Sequence, residues 1–468
     1  MRREDLFLQS AFKIEGSFMK CDQVVSWLKE QNEKVHVKID KIPFHEMKLW
    51  NASDDIIQHN TGKFFSIVGI SVKTTWDTVA SYWEQPIINQ PEVGFLGFLT
   101  KEFDGVLHFL MQAKIEPGNI NYIQLSPTLQ ATKSNYTKAH KGKAPLYLEY
   151  FQQVKPHQVL LDQLQSEQGA RFMRKRNRNI IIKIEEDIPV YENFIWLTLG
   201  QIKTLINMDN LVNMDTRTVI SGIPFGTYEV LQSNNNLPFF SQSETQQLFL
   251  DSALISGKSL HSTDSIISFF TNIKSIHELE INRVPLKKLQ NWKYGKYEIE
   301  HELKKYFKVI AVNVEIGNRE VVSWTQPMIE PAQEGLCAFI CKKINGILHF
   351  LVQAKLECGN FDIVELAPTV QCLTGNYKEK NSFLLPFLNY ILSADKQQII
   401  YDSYQSEEGG RFYREQNRNM IIFADEKFPI ELPDDYIWMT LNQLSTFLKF
   451  NNYLNIQARS LIAAVSFV

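Results

Sequence analysis

The chain is written twice. His108-Phe109-Leu110-Met111-Gln112-Ala113-Lys114 returns 241 residues later as His349-Phe350-Leu351-Val352-Gln353-Ala354-Lys355. Trp83-Glu84-Gln85-Pro86 matches Trp324-Thr325-Gln326-Pro327, and Ser126-Pro127-Thr128-Leu129-Gln130 matches Ala367-Pro368-Thr369-Val370-Gln371. Asn135-Tyr136 matches Asn376-Tyr377 at nearly the same spacing. Solenoid arrays repeat every ~20–50 residues, so this period indicates one duplicated unit, each copy long enough to bury its own core. The turn-forming run Gln232-Ser233-Asn234-Asn235-Asn236 sets the expected boundary, giving units 1–235 and 236–468.

Within a unit the pattern is α/β of the α+β kind. Acid-capped helices are expected to start at Cys21-Asp22 and Thr263-Asp264, with further helices over 145–154 and 197–208. Short β-branched and aromatic runs at 64–72, 94–100, Val106–Ile115, 122–125 and 179–184 read as strands. Strands crowd the middle of the unit and helices flank them, which favours a mixed sheet over a parallel doubly wound one.

Charge excludes several classes of partner. Lys+Arg total 49 against 52 Asp+Glu, a formal charge of -3, without the basic excess of a nucleic-acid binder. The run Arg174-Lys175-Arg176-Asn177-Arg178 is basic, but its twin Arg414-Glu415-Gln416-Asn417-Arg418 is not. No apolar run reaches the ~18 residues of a membrane span, and the charged start lacks a signal peptide's apolar stretch. Five cysteines do not make a secreted disulfide framework, so a soluble cytoplasmic protein is expected. Gly-x-Gly-x-x-Gly, His-Glu-x-x-His and Gly-x-Ser-x-Gly are missing, and Gly257-Lys258-Ser259 lacks the upstream glycine of a phosphate loop. Cys337 and Cys341 have no partners to complete a zinc set, so neither metal nor cofactor is expected.

Three repeated blocks could carry chemistry. In 165–179 against 405–419, ten of fifteen positions are identical, and the identical set is mostly polar. Glycines there permit close backbone approach to a ligand, and the arginines suit bidentate phosphate contacts; the alternative is a surface hairpin whose charges pair with each other. In the second block, period-two alternation puts His108, Leu110, Gln112, Lys114 and Glu116 on one strand face, natural for a cleft floor. For His108 or His349 alone, a hydrogen-bonded core histidine is the plainer reading. The third block pairs Gln130, Asn135 and Tyr136 with Gln371, Asn376 and Tyr377, loop groups suited to a base, sugar or phosphate.

Together these blocks resemble the NDP-hexose 2,3-dehydratase family over nearly the whole chain. The resemblance implies a homodimer whose subunit holds two tandem duplicated Nudix-like domains, with mixed sheets flanked by helices. Ala113-Lys114-Ile115-Glu116-Pro117-Gly118 is similar to the strand end before a Nudix helix, but the Glu-rich metal-binding helix is missing in both halves. A reaction without metal or redox cofactor is therefore implied: loss of water from C2 and C3 of a dTDP-linked 4-keto-6-deoxy sugar, with the product passed to a 3-ketoreductase. The second half keeps Tyr413 where the first has Met173, so catalysis is expected there, with Glu407 or His349 as base, Tyr413 as acid and Lys355 at the enolate. Arg411 and Arg418, with Arg171 and Arg178, would hold pyrophosphate. Gln371, Asn376, Tyr377, Arg414 and Asn419, and Lys114, Gln130, Asn135, Tyr136, Glu167 and Arg174 in the first half, complete the expected nucleotide-sugar contacts. A silent nucleotide-sugar binder, acting as a scaffold for a ketoreductase, and a divergent Nudix hydrolase are the competing readings.

Overall fold

The computed structural model describes residues 2–16, 18–76, 81–133, 144–229, 241, 243–317, 323–377 and 385–468. The expected boundary at 235, and the side chains of Asn135, Tyr136, Asn376 and Tyr377, lie outside the described residues. Among the described residues, ten α-helices and several sheets make an α+β protein.

Each half contributes one seven-stranded mixed sheet. In the first the order is Val159–Ser166, Arg176–Lys183, Gly94–Phe103, Val106–Ile115, Phe194–Thr198, with Ile123–Ser126 and Leu129–Ala131 paired alongside. Only Arg176–Lys183 and Gly94–Phe103 run parallel; the other pairs are antiparallel. The second sheet repeats this order from Ile399–Ser406 to Tyr436–Met439. Both faces are buried, so the central strands read as continuous apolar runs. On the inner face Phe109, Met111, Phe350 and Val352 join one core spanning both halves. On the outer faces Leu110 packs beneath Leu148 and Phe151, and Leu351 beneath Leu388 and Ile391.

The helices follow from local chemistry. Thr198 and Gln201 close a capping box, each bonding the other's backbone N–H at 3.1 Å, and Thr440 with Gln443 repeats it. Cys21–Glu33 buries Val24, Trp27, Leu28 and Gln31, one stripe at helical spacing. The segment expected to be helical over 145–154 is so only at Leu148–Gln152, because Tyr147 turns into the left-handed region at φ 62°.

The repeat did not foretell how the halves are joined. Val37–Ile42 from the first half pairs antiparallel with Phe307–Ile316 of the second, and Leu279–Val284 pairs with Ser66–Thr74 of the first. Each half lends a strand to a smaller five-stranded sheet of the other. Among the described residues no helix is long and apolar enough to cross a membrane.

Candidate active site

Crossing also governs the polar loops. Past Ser406, the second half's loop swings onto the first half's strand end, where the Gly118 N–H donates to the Gly409 carbonyl and the Arg414 N–H to the Gly118 carbonyl, both at 2.7 Å. The first half's loop does the same at Gly359, through Gly169 and Arg174. Two fully buried arginines hold the crossing. Arg217 donates to the Ser406 carbonyl and Ser460 Oγ, while Arg459 donates to the Ser166 carbonyl and, at 2.9 Å, to Thr218 Oγ1.

Gly118 is indispensable to this contact, since a Cβ there would overlap the Phe412 carbonyl oxygen, a backbone atom that cannot swing away. Gly118→Ala is expected to destabilise the protein by about 2–3 kcal/mol through overpacking. A thermal unfolding midpoint equal to that of the parent would refute this.

The crossing builds a composite cavity of about 1200 Å³. Small-molecule pockets span ~300–1,000 Å³, so the space suits an elongated ligand. Its wall combines Lys114, Glu116, Gln130, Lys175 and Asp215 of the first half with Trp324, Glu408, Gly410 and Arg411 of the second. Trp50, Phe64 and Phe65 add aromatic surface.

Neighbours hold Glu116, Arg411 and Lys175 in place. Gln130 Nε2 donates to Glu116 Oε1 at 2.8 Å, and Asn213 Nδ2 holds Gln130 Oε1 at 3.3 Å. The Arg411 guanidinium lies 4.1 Å from the Phe65 ring centroid and donates to Gln90 Oε1 at 3.2 Å. Lys175 donates to Asn177 Oδ1 at 2.8 Å and to the Glu92 carbonyl. Burial, reinforced by Glu408, Glu116 and Glu167, pushes the Asp215 carboxyl well above the usual range despite Lys114. Burial likewise raises Glu408; Arg411 opposes the shift and Glu116 adds to it. The cavity therefore holds carboxyls raised above their usual range beside fixed cations, the pairing that acid–base chemistry requires.

The expected site residues divide into groups. Lys114, Gln130 and Arg411 meet in the cavity. Glu167 sits behind its wall, accepting from Asn177 Nδ2 at 2.6 Å, with burial and Glu408 pushing it up to about 7. Gln371 donates to Glu357 at 2.8 Å in the second half, repeating the Gln130–Glu116 pair, and Lys355 lies two residues before Glu357. Arg171 stacks on Phe307 at 4.1 Å as Arg411 does on Phe65.

The others are held elsewhere. His349 is wholly buried, with Nδ1 on the Ile347 carbonyl (2.9 Å) and Nε2 accepting from the Leu260 N–H (2.9 Å), so neither nitrogen is left to act as base. Tyr413 packs against the core beneath Lys41, outside the cavity lining. Glu407 is buried on Asn417 Nδ2 (2.5 Å) and pushed up to about 7 by burial and Glu415. Arg178 and Arg418 form bidentate pairs with Asp162 and Asp402 at the surface. Arg174 and Arg414 are exposed and bridge through their backbones, and Asn419 bonds the Asn417 carbonyl at 2.9 Å.

Sequence reasoning left Asp215, Glu408 and Lys175 out of the expected site. The available signal was divergence between the copies: their twins are Gln457, Gln168 and Glu415.

The model of the NDP-hexose 2,3-dehydratase family matches residues 21–223 and again 263–465. The chain is 45% identical to a dTDP-4-dehydro-6-deoxy-alpha-D-glucopyranose 2,3-dehydratase of Saccharopolyspora spinosa, over 98% of this chain and 94% of the relative. A protein of the same name from Amycolatopsis orientalis is 41% identical over 99% and 93% of the two chains, and one from Streptomyces violaceoruber 41% over 94% and 96%. With both halves matched by the family and relatives aligned nearly end to end, the chain belongs to the NDP-hexose 2,3-dehydratases.

Proposed function

We propose that the protein removes water from C2 and C3 of a dTDP-linked 4-keto-6-deoxyhexose in deoxysugar biosynthesis, and that the reaction takes place in the first half's composite cavity. The observation carrying the site assignment is the convergence of Glu116, Glu408 and Asp215 with Lys114 and Arg411. The 4-keto group acidifies the C3 proton. Glu116 takes that proton, and the electron pair moves onto the carbonyl oxygen, where Lys114 and the protonated Asp215 stabilise the enolate. As the pair returns, the C2–O bond breaks and the hydroxyl leaves as water with the Glu408 proton. The resulting C3 enol gives its hydroxyl proton to Glu408 while Glu116 protonates C2, which yields the 3,4-diketo-2,6-dideoxy sugar and restores both carboxyl groups. Arg411 is suited to the pyrophosphate and the aromatic rings to the base.

Identical strand orders and the double family match support reading the halves as copies of one duplicated unit, for which a Nudix-like ancestry is our reading. The second half's counterpart keeps Lys355, Gln371 and Arg171 but has Gln168 and Gln457 in place of Glu408 and Asp215, which favours nucleotide-sugar binding without turnover. A homodimer that hands its product to a ketoreductase completes the reading.

The test supplies dTDP-4-keto-6-deoxyglucose with a 3-ketoreductase and NADPH and weighs the product. A species lighter by one oxygen is expected; unchanged sugar alongside clear dTDP binding would overturn the proposal. Because Glu408 donates only while protonated, turnover should fall as the pH rises through its raised pKa, and a rate still climbing on the alkaline side would remove it as the acid.

A further inference from the structure

We infer that Gly410 is the specificity-determining opening of this cavity, and that the reacting C2–C3 edge of the hexose is held over its Cα between Glu116 and Glu408. The inference rests on the first-half site proposed above. A Cβ built on Gly410 would lie 3.5 Å from Glu408 Oε1 and 3.6 Å from Glu116 Oε1. A reacting atom must come within ~3–3.5 Å of the groups that exchange protons with it. The point where a methyl group would project is thus the point where base and acid can both reach the sugar.

The backbone itself does not demand glycine. Gly410 is not among the positive-φ residues, and both built contacts are ordinary van der Waals distances. Its twin is Ala170, and the two loops are anchored alike: Gln326 Nε2 donates to the Gly410 carbonyl at 2.9 Å and Gln85 Nε2 to the Ala170 carbonyl at 3.0 Å. The same turn accepts alanine on one side of the molecule and carries glycine on the side where the Glu116 and Glu408 carboxyl groups face each other. Space for a ligand, not chain geometry, distinguishes the positions. Ala170→Gly should not create a second centre, since Gln168 and Gln457 supply neither acid.

The experiment compares full-length Gly410→Ala, Glu408→Gln and Ala170→Gly in the reductase-coupled assay, with dTDP affinity by calorimetry and the thermal midpoint of each. Gly410→Ala is expected to keep the parental midpoint and to bind dTDP within about threefold, while kcat/KM for the 4-keto sugar falls about 100-fold or more, the scale of a misplaced reacting centre. Ala170→Gly should turn over within about threefold of the parent. If Gly410→Ala works at nearly the parental rate while Glu408→Gln is crippled, the inference fails and the site stands. If Gly410→Ala also loses its midpoint or dTDP binding, the residue is structural and the inference likewise fails. Parental turnover by Glu408→Gln overturns the site itself, whatever Gly410→Ala does.

Discussion

Glu116→Gln is expected to lower kcat by ~10²–10⁴-fold, the range for loss of a general base. Glutamine keeps the size of the side chain, and its carbonyl oxygen can still accept the Gln130 amide that now holds Oε1 at 2.8 Å. What disappears is the capacity to take a proton. Glu357→Gln makes the equivalent change in the second half, where Gln371 and Asn455 repeat the same hydrogen-bonded chain. That variant should cost less than about tenfold in turnover, because Gln168 and Gln457 replace the acids that face Glu116. If Glu357→Gln proves the more damaging, the chemistry moves to the second half, where the sequence alone had located it.

Separating the halves should abolish both folding and activity. A fragment ending at residue 241 would leave Ser66–Thr74 without Leu279–Val284, and the remainder would leave Phe307–Ile316 without Val37–Ile42. Arg217 and Arg459 would stay buried without the Ser406 and Ser166 carbonyls, a desolvated charge that costs several kcal/mol. The inner core also draws on both halves. Neither fragment alone should give a cooperative thermal transition, whereas co-expressed fragments should co-purify and regain turnover. A single half that unfolds cooperatively by itself would contradict this account.

Much of the scaffold was legible because the two copies had to solve the same physical problem. Val106–Ile115 was read with its exact bounds, since apolar residues buried on both faces leave a plain strand signature. The repeated polar loop was also read as functional, but the cavity it serves was not. Nothing in Ser406-Glu407-Glu408 says that its carbonyl meets an arginine of the other half, because such pairing depends on tertiary crossing. Identity between the copies proved a mixed signal. Arg178 and Arg418 match because both tie neighbouring strands together through an aspartate, and His108 and His349 because both sit in the core. Glu116, Lys114 and Arg411 are repeated, but the two proposed acids and the glycine beside them, Asp215, Glu408 and Gly410, lie where the copies differ, at positions that a search for repeated residues passes over.

The exchanged strand also sets a timetable for biosynthesis. Val37 pairs with Ile316, 279 residues further along, so the first strand leaves the ribosome long before its partner exists. At ~5–20 residues per second the wait lasts roughly 15–55 s, far longer than local elements need to form. An unpaired strand kept waiting is an invitation to aggregate. The segment Val-Lys-Ile-Asp-Lys-Ile carries three charges among its six residues, and Lys38, Asp40 and Lys41 stay exposed in the finished fold. Those charges act as gatekeepers during the interval, discouraging capture by another nascent chain until the intended neighbour emerges.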